Sequence, residues 1–189
     1  MGKFSKVPEN TFDELQVEAG VLLKSFDPTT PELVDSDIIC ATTGGITPSC
    51  VPTYSDWGED IDNCPNGMKE LMRINGWECT LGFTALNTTP ESIRLSLGAA
   101  DIENGHITPR NELTDADFSD IWWVGDRSDG GLVAIRLINA LSTGGLSLTT
   151  TKNGKGRLAV TLRGHYSINE QDTVPMEFYV AEGAEEETV

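Results

Sequence analysis

Between residues 120 and 180, apolar and polar residues alternate through several short runs separated by compact turn signals, the pattern of a half-buried antiparallel sheet. The sharpest instance spans residues 146–166. Leu146 and Leu148 lead into a polar stretch ending in Asn153-Gly154, after which Leu158, Val160 and Leu162 take every second position. Arg157, Thr161, Arg163 and His165 stand on the other face. Asn-Gly between alternating runs predicts a hairpin with a type I′ turn, because both central residues of that turn need positive φ. One face is thereby set for a core and the other for water or a partner.

Upstream, Leu15, Val17, Ala19, Val21 and Leu23 alternate with Glu14, Gln16, Glu18 and Lys24, predicting a first strand over residues 12–26 with an acidic face. Glu14 and Glu18 are the candidate acidic residues on that face. Two prolines within residues 27–32 end the pattern, since each removes a donor and restricts the residue before it. Residues 37–68 are turn-rich, with short strands expected at 38–42 and 49–54 and a long loop near 42–66. Such a segment in a small domain suits an intermolecular contact. Its candidate contact residues are Thr42, Tyr54, Trp57, Asp60 and Asn66. Tyr54 and Trp57 serve equally well, on sequence alone, as anchors of the loop on its own domain.

Alternation resumes at residues 77–86, with Cys79, Leu81, Phe83 and Ala85 on one face. A helix follows, with Thr89 as N-cap, Pro90 at the first position, Glu91 beside the positive end of the dipole and Gly98 near the stop. Ile93, Leu97 and Ala100 are expected on the sheet. Trp122 and Trp123, adjacent in a strand over 120–126, point to opposite faces. One enters the core, the other asks for a partner, and both are candidate interface aromatics. Strands at 132–141 and 174–180 complete the pattern, and residues 182–189 form an acidic tail expected to be disordered. The fold class is mainly β, a sandwich or barrel of antiparallel strands with one flanking α-helix, as a single domain over residues 1–181.

Charge and chemistry narrow the function. The chain of 189 residues has 13 Lys and Arg against 30 Asp and Glu, a formal net charge of -17. So acidic a surface repels phosphates and anionic membranes. Apolar runs such as 132–135 fall far short of the roughly 20 residues of a membrane span. Residues 1–6 lack the apolar run of a secretion signal, so synthesis and retention in a cytoplasm are expected.

Cys40, Cys50, Cys64 and Cys79 show no C-x-x-C spacing and are expected to be reduced, small apolar residues rather than disulfide or zinc ligands. His106 and His165 are the two histidines, and no nucleophile motif accompanies them. The carboxylates of residues 56–63 do not fit an EF-hand loop starting at Asp60, because Cys64, Pro65 and Leu71 stand where a ligand, a glycine and a glutamate are needed. Asp35 and Asp37 lack an apolar pocket to separate their pKa values. Gly130-Gly131 and Gly144-Gly145 are hairpin glycines that open no helix. Asn87-Thr88-Thr89 is a glycosylation acceptor only on a secretory route. No catalytic residue, cofactor or metal site is expected.

The run from Trp122 to Tyr179, together with residues 131–167, 174–180 and the early 20–28 (GVLLKSFDP), resembles the major tail tube proteins of long-tailed, non-contractile phages and related prophages. The resemblance extends over residues 13–181 and rests on layout and short phrases. It implies a β-sandwich module whose copies close into hexameric rings that stack into a tube, a channel for DNA and the tape measure protein, closed by a tail terminator. It places the protein in the virion tail, and in the host cytoplasm before assembly. The 42–66 loop then corresponds to the segment reaching neighbouring rings, and Glu14 and Glu18 become candidate lumen-facing charges. DNA passes such a channel without specific binding, because acidic walls repel it.

A different class stays open: a soluble β-sandwich binding module, or an accessory virion protein, recognising a glycan or peptide through the Tyr54 and Trp57 loop. A hydrolytic enzyme is the third option, disfavoured by two histidines and the absence of a motif.

Overall fold

The structure is a computed structural model that describes residues 6–183. Its strands are β1 (Gln16–Leu23), β2 (Thr42–Asp56), β3 (Met72–Ala85), β4 (Ala100–Glu103), β5 (His106–Pro109), β6 (Ser119–Arg127), β7 (Leu132–Ser142), β8 (Ser147–Thr149), β9 (Arg157–Arg163) and β10 (Met176–Ala181), with one helix, α1 (Pro90–Leu97). All pairings are antiparallel. The main sheet runs β1-β6-β7-β9-β3-β2, with β10 beside β7 and β8 beside β9, and β4 and β5 form a separate hairpin. The fold is mainly β with one helix, as the alternation predicts.

β7 joins the two halves of the sheet. β7 pairs with β10 over residues 132–137 and with β6 over the same stretch and again at Ala140, whereas Leu141 and Ser142 pair with β9. Between them Asn139 adopts φ 49°. Asp120 Oδ1 accepts the Asn139 amide at 3.0 Å, and Asn139 Nδ2 donates to the His165 carbonyl at 3.2 Å. His165 Nδ1 lies 3.2 Å from the Asn139 carbonyl, which can only accept, so Nδ1 carries the proton. One of the two histidines is thus committed to holding the bend.

The bend brings two apolar faces together. Leu22, Ile121, Trp123, Ile135 and Leu137 from one half meet Cys79, Leu81, Phe83, Leu158, Val160 and Leu162 from the other in one cluster. Along β9 burial alternates as foreseen: Leu158, Val160 and Leu162 are buried and Arg157, Ala159, Thr161 and Arg163 exposed. Each fully buried leucine contributes about 1.5–3 kcal/mol relative to exposure.

The turn before β9 departs from the sequence expectation. β8 and β9 pair only as far as Thr149 and Arg157, leaving residues 150–156 as a loop. Asn153 has φ 64° but Gly154 is not in the positive region, so no type I′ turn forms. The Gly154 amide instead bonds the Thr151 carbonyl at 3.2 Å, a turn within the wider loop.

β1 is shorter and more irregular than its alternation implies. Its ladder with β6 breaks between Val17 and Val21, where Glu18 and Gly20 take φ of 58° and 69°. The cause is Trp123, whose indole N–H needs a buried acceptor and finds the Ala19 carbonyl at 2.9 Å. A Cβ at Gly20 would sit 2.6 Å from that same nitrogen. Beyond the break, Leu22 and Leu23 are both buried, on opposite faces. Glu14 precedes the strand and accepts a bond from Asn10, while Glu18 sits in the bulge. Both are exposed, yet they do not share the strand face expected of them.

Trp122 and Trp123 do take opposite faces, but neither is left free. Trp123 joins the main cluster. Trp122, 7 % exposed, finds its partners within the chain. Phe26 stands edge-on at 5.8 Å between centroids, Tyr179 at 5.5 Å, and the Arg136 guanidinium lies 5.6 Å over the ring. Arg136 is in turn held by Asp120 at 2.6 Å and Glu177 at 3.1 Å. The burial of both indoles removes Trp122 and Trp123 from the exposed surface of the chain.

α1 is capped as expected, Thr89 Oγ1 accepting the Ser92 amide at 3.1 Å and Gly98 ending it at φ 81°. Its buried residues are Ser92 and Ser96, whereas Ile93 and Leu97 are only half-buried. The small serine face permits close approach, and Ser142 Oγ donates to the Ser96 carbonyl at 2.6 Å. Ala100 is buried, at the start of β4.

Below the helix, Asp117 has no exposed side-chain surface and bonds Arg110 at 2.5 Å. The backbone amide of Thr114, first, then its hydroxyl and the Arg110 charge hold the Asp117 carboxyl below the usual carboxylate range. The Gly131 amide does the same for Asp129. Unfolding returns both to about 3.9, so as pH falls the unfolded chain binds protons first. Their stabilisation is complete above that value and is lost as pH drops through the lower folded values. Thermal melts taken from about pH 6 to about pH 2 will show the midpoint falling below about pH 4, and Asp117→Asn will flatten that fall.

Candidate assembly surface

The segment expected to be a loop is largely strand. β2 and β3 pair from Thr42–Ala85 at the root to Asp56–Met72 at the far end, a long hairpin whose tip is residues 57–71. The prolines and glycines that read as turns are compatible with a strand here because β2 is the outermost strand of the sheet. The Cys79 carbonyl accepts the Gly164 amide of the β9 side, at 2.9 Å. Cys79 therefore turns its backbone groups away from β2, and its partner Cys50 turns its own outward. By alternation Pro48 and Pro52 do likewise. Their missing N–H groups would face outward, where no ladder needs them. The same prolines blunt this edge against pairing with a further strand.

What the hairpin offers instead is side-chain surface. The row of β2 that carries Cys50 and Pro52, opposite Cys79 and Trp77, continues to Tyr54 opposite Ile74. At the root this row is core; farther out nothing covers it, and Tyr54 and Ile74 are 57 % and 52 % exposed. A bulge between Thr53 and Tyr54 leaves Asn75 without a register partner, and Ser55 Oγ bonds Asn75 Oδ1 at 2.9 Å. At the tip Trp57 is 65 % exposed, with Ile61 and Met68 also exposed. The Arg73 guanidinium lies 5.3 Å over the Trp57 ring, so Trp57 is positioned by its own hairpin while keeping most of its surface open.

The tip is built, not loose. Asp56 accepts the Gly67 amide at 2.6 Å and the Gly58 amide at 2.8 Å, and those bonds, Gly67 first, hold its carboxyl below the usual range. The Trp57 amide bonds the Leu71 carbonyl at 3.1 Å, closing the tip. A Cβ at Gly58 would come within 2.9 Å of Leu71 and 3.0 Å of Cys64, so that backbone is closely packed.

Of the candidate contact residues, Tyr54, Trp57, Asp60 and Asn66 are gathered in the distal hairpin. Thr42 is at the opposite end, paired with Ala85. Ile74, Ile61 and Met68 belong to the surface and were not singled out from sequence; Ile74 is recognisable only once its register opposite Tyr54 is known.

Elsewhere, a cleft of about 680 Å³ lies between α1 and the β6–β7 end, lined among others by Glu91, Arg94, Asp117, Asp120 and Ser142. Arg94 and Asp117 are bonded to the protein itself, as are Asp120 and Ser142. Among the described residues no three His, Cys, Asp or Glu side chains are grouped to hold a metal ion, and no helix is long and apolar enough to cross a membrane. The acidic tail lies outside the described residues from position 184 onward.

No family model matches this chain. No curated protein matches it either. Among solved structures, a chain of the virion of a native gene transfer agent particle is similar, with a TM-score of 0.44 and 9 % identity over 85 % of this chain and 95 % of that one. A likeness of that size is too weak to bear on function.

Proposed function

We propose that this chain is a structural virion subunit that associates head to tail with copies of itself, closing into hexameric rings that stack into a phage tail tube. The observation that carries the reading is the distal β2–β3 hairpin, a firmly built arm whose apolar row continues the core past the body of the domain. An arm of this kind completes itself on another molecule.

Charge supports a head-to-tail arrangement. Residues 130–169 contain Arg136, Lys152, Lys155, Arg157 and Arg163 and no acidic residue. Lys152, Lys155 and Arg157 cluster at the β8–β9 turn, beside the root of the hairpin where Ala85 pairs with Leu158. The tip at the other end of the same strands carries Glu59, Asp60, Asp62 and Glu70 against one cation, Lys69. Opposite charges at opposite poles favour a heterologous contact, which propagates as an open filament or closes as a ring. The sequence resemblance to tail tube proteins points the same way. In that assembly the net charge of -17 keeps the channel from retaining DNA. The tape measure protein and a tail terminator are its expected partners.

Sedimentation velocity over a concentration series tests the reading. Tail tube subunits will pass from monomer to fast-sedimenting assemblies; a species that stays monomeric and saturates with a glycan or peptide contradicts it and favours a binding module.

A further inference from the structure

Cys50 and Cys79 face each other across β2 and β3, with their sulfurs 3.3 Å apart. Because the Cys79 carbonyl is bonded toward β9, the two form a non-hydrogen-bonded pair, the closer of the two antiparallel pair types, in which Cα atoms typically lie about 4.5 Å apart. That separation falls within the range disulfides span, about 4.4–6.8 Å, so side-chain rotation alone can join them. We propose that Cys50 and Cys79 are a redox-modifiable dithiol that closes into a cross-strand disulfide, stapling the hairpin where it leaves the core. The proposal is independent of tube assembly and concerns a pair that residue spacing gave no reason to join.

The two thiols are unequal. Cys79 is fully buried and Cys50 half-buried. Desolvation, with the hydrogen bond and charge of Cys50, pushes the Cys79 thiol up to about 12, so it is a poor first nucleophile. Cys50 is therefore the entry point. With a small-molecule disulfide as oxidant, the Cys50 thiolate attacks one sulfur, forming a mixed disulfide and releasing one small thiol. Cys79 then gives up its proton and attacks the Cys50 sulfur, and the second small thiol leaves. Two protein thiols are oxidised, one external disulfide is reduced to two thiols, and both protons end on the leaving thiols. In a reducing compartment the pair stays open, and in an oxidising one it closes.

The remaining cysteines serve as internal controls. Cys40 is buried elsewhere in the core, and burial pushes its thiol up to about 11. Cys64 lies at the tip beside Met68, with its sulfur 3.4 Å from the Met68 sulfur.

The test is to incubate the full chain with oxidised glutathione and map it by mass spectrometry without reduction. The expected result is loss of two hydrogens, a linked peptide pair containing Cys50 and Cys79, and reversal by dithiothreitol. Cys40→Ser and Cys64→Ser will keep the link, and Cys50→Ser will abolish it. Should Cys79→Ser fail to fold, Cys50→Ser supplies the same comparison from a half-buried position. A stable glutathione adduct on Cys50 with no linked peptide, or a link joining Cys64 to either residue, would overturn the assignment.

Discussion

Leu162→Ala will lower the unfolding free energy by about 2–5 kcal/mol. Leu162 has no exposed surface and sits in β9 between two pairing partners, opposite Leu81 of β3 and Ser142 of β7. Strands hydrogen-bonded on both sides cannot close in on the void, so the cavity cost adds to the lost transfer energy. Leu148→Ala makes the contrast. It pairs with Leu158 in the same sheet but is 46 % exposed, and its removal will change stability by about 0.5 kcal/mol or less. Urea unfolding of the two variants measures the difference, and equal losses would mean that the bend in β7 does not bring the two halves together as described.

Tyr54→Ala combined with Trp57→Ala will leave a folded subunit but raise the concentration needed for assembly by about 30-fold or more, the effect of losing an aromatic hot spot. Stability will change little, because both side chains are mostly exposed and the Trp57 contact with Arg73 is an exposed cation–π pair, about 0.5–1 kcal/mol. The separation of the two effects is the point: a residue that served only to anchor its own loop would weaken folding and leave association unchanged. Removing residues 42–66 does not make this test, since it deletes β2 and strips β3 of its outer partner. Substitution within the distal hairpin spares the root, where Ile46 and Cys50 pack on the core. A 30-fold shift in the sedimentation midpoint with an unchanged melting temperature supports the assembly role, and unchanged association contradicts it.

Much of the body was legible because its signals are local. Leu158, Val160 and Leu162, and Cys79, Leu81, Phe83 and Ala85, alternate cleanly, since each faces one core and water or a neighbouring strand on the other side. Thr89, Pro90 and Gly98 mark α1 through backbone requirements that no tertiary contact overrides. The rest depended on contacts that no window of sequence contains. The bulge in β1 answers the hydrogen-bonding need of Trp123, about a hundred residues away along the chain. The partners of Trp122 come from Phe26, Arg136 and Tyr179, three separate strands or their flanks. Only the 49–54 part of β2 was legible, because Pro48 and Pro52 signal turns in most settings and are harmless only at a sheet edge facing outward. Residues 42–66 thus read as a long loop where the structure has most of a strand hairpin. Its aromatic residues were visible, while Ile74 and the Cys50–Cys79 pairing needed the register.

Self-association into a hollow tube is the claim on which the functional account rests, and negative-stain electron microscopy of the purified chain across a concentration series tests it most directly. Rings or hollow tubes are expected, and they will disappear in the Tyr54→Ala, Trp57→Ala variant. Discrete monomers at every concentration, with or without a tail initiator complex to seed assembly, would contradict it.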